Sequence, residues 1–181
     1  MKRLFVGIPL PGVLRDRIEE FCQKLKETGG DFRFVSVENL HLTVCFLGDV
    51  EEDQISGVVE KLRLLLAKQV RIKVNLAGAG CFPDKTRINV VWIGLGDGVL
   101  INLIRGVNAG LSVKIEHEEE IPHLTVARVK SGKRKEMIRE VVEKFRDVNF
   151  GSFVVEKIFL YESELEPEGP IYTVVEEFKL L

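Results

Sequence analysis

Two of the three histidines in this chain open the same tetrapeptide: His-Leu-Thr-Val stands at 41–44 and again at 123–126. Successive side chains of a strand point to opposite faces, so His41 and Thr43 share one face while Leu42 and Val44 share the other. The same alternation pairs His123 with Thr125. The apolar residues are suited to packing beneath helices, which leaves an imidazole and a hydroxyl projecting from the other side of each strand. If the two strands meet across a pseudo-twofold axis, two imidazoles and two hydroxyls converge. That set suits phosphoryl transfer. An imidazole titrates near pH ~6.5, so one neutral ring can take a proton from water while a charged one delivers a proton to a leaving oxygen. The hydroxyls can donate hydrogen bonds to non-bridging oxygens as charge builds there. The chemistry needs no metal and no cofactor, and the spacing assigns neither ring to either role.

The surrounding elements repeat as well. Helical stripes run through Leu14, Ile18, Phe21, Cys22 and Leu25; through Ile55, Val58, Val59, Leu62, Leu65 and Leu66; through Leu100, Leu103, Ile104, Val107 and Leu111; and through Ile138, Val141, Val142 and Phe145. Asp97 stands where it can cap the third helix. Strand-like runs fall at 3–8, 32–37, 40–47, 71–79, 87–95, 113–117, 123–129, 149–161 and 171–179. Residues 3–79 and 87–161 therefore both read β-α-β-β-α-β, and in each the repeated tetrapeptide opens the third strand. The echo extends further, since VVEKLR begins 17 residues after His41 and VVEKFR begins 18 after His123. Shared word, shared helix and shared order point to an internal duplication. The expected fold class is α/β, of the α+β kind: duplicated β-α-β-β-α-β lobes whose mainly antiparallel sheets carry helices on one face and enclose a cleft with the other. Residues 1–181 form one bilobal domain in this reading, with lobes near 1–82 and 87–181 and an exchange of strands between them left open.

The residues around the two tetrapeptides resemble the two-histidine phosphoesterases, marked by paired His-x-Thr-x motifs. The similarity is nearest to the LigT-like RNA 2′,3′-cyclic phosphodiesterases, also called 2′-5′ RNA ligases. HLTVCFLG at 41–48, PHLTVARVK at 122–130 and the tail LYESELEPEGPIYTVVEEFKL carry it over nearly the whole chain. The resemblance implies metal-independent opening of an RNA 2′,3′-cyclic phosphate to a 2′-phosphomonoester. It implies His41 as general acid on the departing 3′ oxygen and His123 as general base on water. Thr43 and Thr125 would bind phosphate, Phe46 would pack against the nucleoside, and Arg128 would contact phosphate or the 3′ end. RNA ends, tRNA fragments among them, are the implied partners. Phe46 and Arg128 both stand five residues after their histidine, which places them on the wrong face of a regular strand. An irregularity near 45–46 and near 127–128 must therefore bring them round.

Other readings compete at each position. His41 and His123 can be structural, and a zinc site is the metal alternative, although His-x-Thr is not a ligand spacing and the cysteines are scattered. His117 sits among carboxylates and reads as surface. Thr43 and Thr125 can be simple strand formers. Lys130 shares a face with Arg128 and is the cation best placed to reach RNA; Lys133, Arg134 and Lys135 read equally as a solvated helix start. Arg87 and Trp92 are candidates for a base or phosphate contact, with Trp92 favoured as core. Phe82 and Tyr161 are candidates for stacking, with core favoured for both. The reverse reaction, joining the cyclic phosphate to a 5′ hydroxyl, uses the same groups, and a non-catalytic RNA-end binder would keep them too. No GxxxxGK[ST] or KxDG motif occurs, which argues against ATP-driven ligation.

Composition sets the outer limits. A 45% hydrophobic, 30% charged chain with net charge −2 is that of a soluble globular protein without a broad basic coat. No apolar run has the length of a membrane span, and the N-terminal MKRLFVGIPLPG is too short-cored for a secretory signal. Three separated cysteines without a CxxC pair fit a reducing cytoplasm. A monomer is expected.

Overall fold

β1 (Lys2–Pro9) shows how the sheet divides the molecule. Leu4, Val6 and Ile8 alternate into the main hydrophobic core, whereas Phe5, only 2% exposed, lies outside that core on the opposite face. A computed structural model describes residues 1–96, 98–112, 121–167 and 169–181. Its strands are β1, β2 (Phe32–Phe34), β3 (His41–Val50), β4 (Ile72–Pro83), β5 (Ile88–Leu95), β6 (His123–Val129), β7 (Asn149–Val155), β8 (Lys157–Glu166) and β9 (Gly169–Lys179). The helices are α1 (Arg15–Glu27), α2 (Ile55–Leu66), α3 (Leu100–Leu111) and α4 (Lys135–Lys144). All four stripes read from the sequence are helices, and the fold is mixed α/β with an antiparallel, curled sheet.

The strands run β7-β4-β5-β6-β3-β1-β8-β9, with β2 added alongside β6. Every pairing among the described residues is antiparallel. Elements cross between the two repeats. β4, from the first, lies beside β5, and β8, from the second, lies beside β1. The helices cross too. α3 packs on β3 and α2, while α1 packs against α4, with Phe21 of α1 meeting Phe145 at 4.7 Å and Phe150 of β7 at 5.7 Å.

Some boundaries differ from expectation. The run at 149–161 is broken at Glu156 into β7 and β8, the Glu156 carbonyl accepting instead from the Leu180 amide at 2.9 Å. The run at 32–37 is strand only as far as Phe34, and a single tight turn at Val37–Asn39 leads into β3. The expected strand at 113–117, His117 and the Asp97 cap lie outside the described residues.

Candidate functional site

β3 and β6 meet at one residue pair, Leu42 opposite Leu124, at the seam of the sheet. Both leucines point into the core, at 2% and 0% exposure. Continuing that antiparallel register on the other face sets His41 toward Thr125 and Thr43 toward His123. Each imidazole is thus matched with the hydroxyl of the other repeat.

The two strands then deform in the same way. β1 pairs Val6 with Cys45 but Gly7 with Thr43, so Val44 is an extra residue; β5 pairs Val91 with Ala127 but Trp92 with Thr125, so Val126 is extra. At each bulge two consecutive side chains are buried, Val44 with Cys45 and Val126 with Ala127. Alternation is reset by one, and Phe46 and Arg128 arrive on the histidine face. The irregularities expected near 45–46 and 127–128 are therefore present one residue earlier. Both bulge carbonyls are held, that of Val44 by the buried Asn108 side-chain amide of α3 (2.8 Å) and that of Val126 by the Val35 amide (2.9 Å).

Each ring is fixed from behind by an equivalent contact. His41 Nδ1–H donates to the Asn39 carbonyl at 2.7 Å, and His123 Nδ1–H donates to the Ile121 carbonyl at 2.7 Å. A proton held at Nδ1 leaves Nε2 as the nitrogen that gains or loses one. Asn39 is anchored in turn, its side-chain amide donating to the Pro170 carbonyl at 2.7 Å. Burial keeps His41 below the ordinary histidine pKa. The Asn39 carbonyl opposes this, and the positive charge of the nearby His123 adds to it.

Aromatic rings surround both imidazoles. Phe5 lies 4.8 Å from His41, 5.9 Å from Phe46, 5.1 Å from Tyr161 and 4.9 Å from Tyr172. Tyr172 also meets His41 edge-on at 5.2 Å. Burial pushes the Tyr172 hydroxyl pKa up, against the Arg128 charge, which places that cation near the Tyr172 side of the site. A cavity of about 140 Å³ opens between Pro9, Glu38, Asn39, His41, Tyr161 and Tyr172. Across the site Phe82 packs edge-on against His123 at 4.9 Å and tilts on Trp92 at 5.2 Å.

The repeats differ at one register position. Gly7 faces Thr43 while Trp92 faces Thr125. A Cβ on Gly7 would stand 3.1 Å from Phe5 Cε2 and 3.4 Å from His41 Cδ2, so His41 and Phe5 occupy the space a side chain would need. The Trp92 ring lies over Gly80, where any Cβ would collide with it.

Of the residues singled out from sequence, His41, Thr43, Phe46, His123, Thr125 and Arg128 share this face. Lys130 lies beyond the end of β6, beside a second cavity. Phe82 and Tyr161, favoured as core, are packed on the site instead: Phe82 is 6% exposed yet stands outside the main core and touches His123. Trp92 likewise lines the site face rather than the core. Phe5, Asn39 and Tyr172 escaped the sequence reading. The alternation of Lys2–Pro9 does carry a signal for Phe5, since it sets Phe5 and Gly7 opposite Leu4, Val6 and Ile8. Tyr172 carries no local signal, because β9 reaches the site only through β8 and β1. Among the described residues, no three His, Cys, Asp or Glu side chains are grouped to share a metal ion, and no helix is long and apolar enough to cross a membrane.

A duplicated, antiparallel α/β frame with a bulged His-x-Thr strand in each half defines a class of two-histidine proteins. Residues 8–92 and 97–172 match the family of LigT-like phosphoesterases, and the chain belongs to that family. It is 39% identical to the RNA 2′,3′-cyclic phosphodiesterase of Methanocaldococcus jannaschii, over 97% of this chain and 99% of that one. It is 40% identical to the enzyme of the same name from Aquifex aeolicus, over 82% and 81%. The crystal structure of a Thermus thermophilus protein superposes with a TM-score of 0.80 at 29% identity, covering 98% of this chain and 97% of that chain. E. coli LigT complexed with 3′-AMP superposes with a TM-score of 0.74 at 26% identity, over 99% and 97%.

Proposed function

We propose that this protein hydrolyses RNA 2′,3′-cyclic phosphate ends to 2′-phosphomonoesters without a metal. The observation that carries the reading is the Leu42–Leu124 pairing between two equally bulged strands, which supports two Nδ1-anchored imidazoles and two threonines acting on one phosphate. The names of the relatives point the same way. Water attacks phosphorus, its proton passing to His123 Nε2; the bond from phosphorus to the 3′ oxygen breaks, and that oxygen takes a proton from His41 Nε2. Thr43 and Thr125 donate to the non-bridging oxygens and Arg128 offsets their charge. Phe46 packs against the nucleoside, and Lys130 meets RNA beyond it. The protein is read as one two-lobed domain acting as a monomer in the cytoplasm, with tRNA fragments among its RNA ends.

The test is an RNA ending in a 2′,3′-cyclic phosphate, incubated with the protein in EDTA. A 2′-phosphate product is expected, and joined RNA would identify the reverse reaction with a 5′ hydroxyl in place of water. His41→Ala and His123→Ala should each remove turnover while leaving the far-ultraviolet circular dichroism spectrum unchanged. Full activity in either variant would falsify the mechanism.

A further inference from the structure

Beyond its His-x-Thr portion β6 runs into the most cationic stretch of a chain whose net charge is −2: five of the eight residues from Arg128 to Lys135 are Lys or Arg. Arg33 of β2 lies directly opposite Arg128 in register. Like charges so placed destabilise a sheet unless an anion offsets them. The Arg33 side chain donates one hydrogen bond to the Pro167 carbonyl at 2.8 Å, leaving its other nitrogens available. Lys130 continues the same ladder, its amide donating to the Asp31 carbonyl at 2.8 Å, yet no ion pair joins the two side chains. Among the described residues the side chains of Arg33, Arg87, Arg128, Lys130 and Lys135 form no ion pair, although Asp84 lies near Arg87 and accepts from its amide, whereas Lys2, Arg63, Arg71 and Lys157 all form one. A cavity of about 190 Å³ lies between Arg87, Asn89, Lys130, Ser131 and Lys135, where β6 ends.

Three of these cations, Arg87, Lys130 and Lys135, line that cavity, and Arg33 and Arg128 form the register pair just before it on β6. Arg128 stands on the site face, and Lys130 follows two residues on, about 6.6 Å along the strand. The cavity flanked by Arg87 and Lys135 comes next. That stride suits successive phosphates of an extended single strand, and a groove of unneutralised cations tracking a backbone is how single strands are held without sequence preference.

We propose that the RNA strand 5′ of the reacting nucleotide lies along the end of β6, its phosphates met by Arg33, Lys130, Arg87 and Lys135. The protein then reads an oligonucleotide end rather than a lone nucleoside cyclic phosphate. This rests on the reading that the reacting phosphate sits between His41 and His123.

Binding separates the two claims. A fluorescently labelled RNA trinucleotide ending in a 2′-phosphate is titrated with protein at several salt concentrations, with the matching mononucleotide as competitor. Wild-type protein should bind the trinucleotide several-fold more tightly than the mononucleotide. A combined Arg33→Ala, Arg87→Ala, Lys135→Ala variant should lose that margin, and its slope of log affinity against log salt should flatten by about 0.7 per phosphate contact removed. Its turnover of cytidine 2′,3′-cyclic phosphate should stay at the wild-type rate. A trinucleotide bound no more tightly than the mononucleotide by wild-type protein would overturn the path, and so would an unchanged salt slope in the variant. A wild-type protein that turns over no cyclic phosphate would count against the catalytic reading alone, since the binding comparison still decides the path.

Discussion

The surroundings of His41 favour its neutral form. Phe5 and Tyr172 pack on its ring, burial disfavours the imidazolium, and positive charge on His123 discourages a second one. A general acid needs the opposite state, which a bound anionic phosphate favours by raising the pKa of the ring so that it takes a proton from solvent. In the free protein the His41 ring should titrate below ~6.5 and move upward when inorganic phosphate is added; an NMR titration of its Cε1 proton reads both. A His41 resonance that ignores phosphate would remove the coupling. The sign for stability follows. The folded-state pKa is the lower one, so the neutral ring favours folding above the unfolded value, and that contribution is lost as pH falls from there through the folded value. Gly7 makes the same point sterically. Gly7→Val places branched carbons where Phe5 and His41 already stand. It should cost about 1–3 kcal/mol of stability in urea denaturation and lower kcat more than it changes KM.

At the scale of elements, the bulges decide which side chains act together. Without them Phe46 and Arg128 would face the helices, where a buried guanidinium has no partner. The offset was legible because both residues stand five after their histidine, an odd spacing that a site residue can adopt only if the strand slips. What holds each slip was not legible. Asn108 lies 64 residues from Val44 and looks like any polar residue in a helix until α3 is packed on β3. Asn108→Ala should orphan the Val44 carbonyl and cost about 1–3 kcal/mol, seen as a lower denaturation midpoint. It should also release Phe46, which is 49% exposed and kept on the site face only by the slip. Weaker nucleotide binding with an unaltered response to pH is the expected companion. A variant with normal stability and normal affinity would show that the bulge stands without its cap.

On the scale of the whole molecule, the recurrence of His-Leu-Thr-Val revealed two repeats but not how they share their parts. Strand pairing between β4 and β5, or β1 and β8, is settled by long-range register, and β-α-β-β-α-β has the same order whether its fourth strand stays home or crosses. The pairing makes a sharp prediction. Residues 1–83 expressed alone lack both neighbours of β4, and residues 88–181 alone lack β1, one of the two neighbours of β8. Neither piece should show a cooperative thermal transition, while the two refolded together should recover one, as calorimetry would show. Independent melting of either piece would contradict the crossed pairing. The crossing also bears on ancestry. A chain of one repeat would have had a fourth strand with no place in its own sheet and an imidazole matched to no hydroxyl of its own. Such a chain could complete both only by trading strands with an identical copy. The event that joined two repeats would then have tethered a partnership that already existed, after which the two former equals were free to diverge, one now carrying a glycine where the other carries a tryptophan.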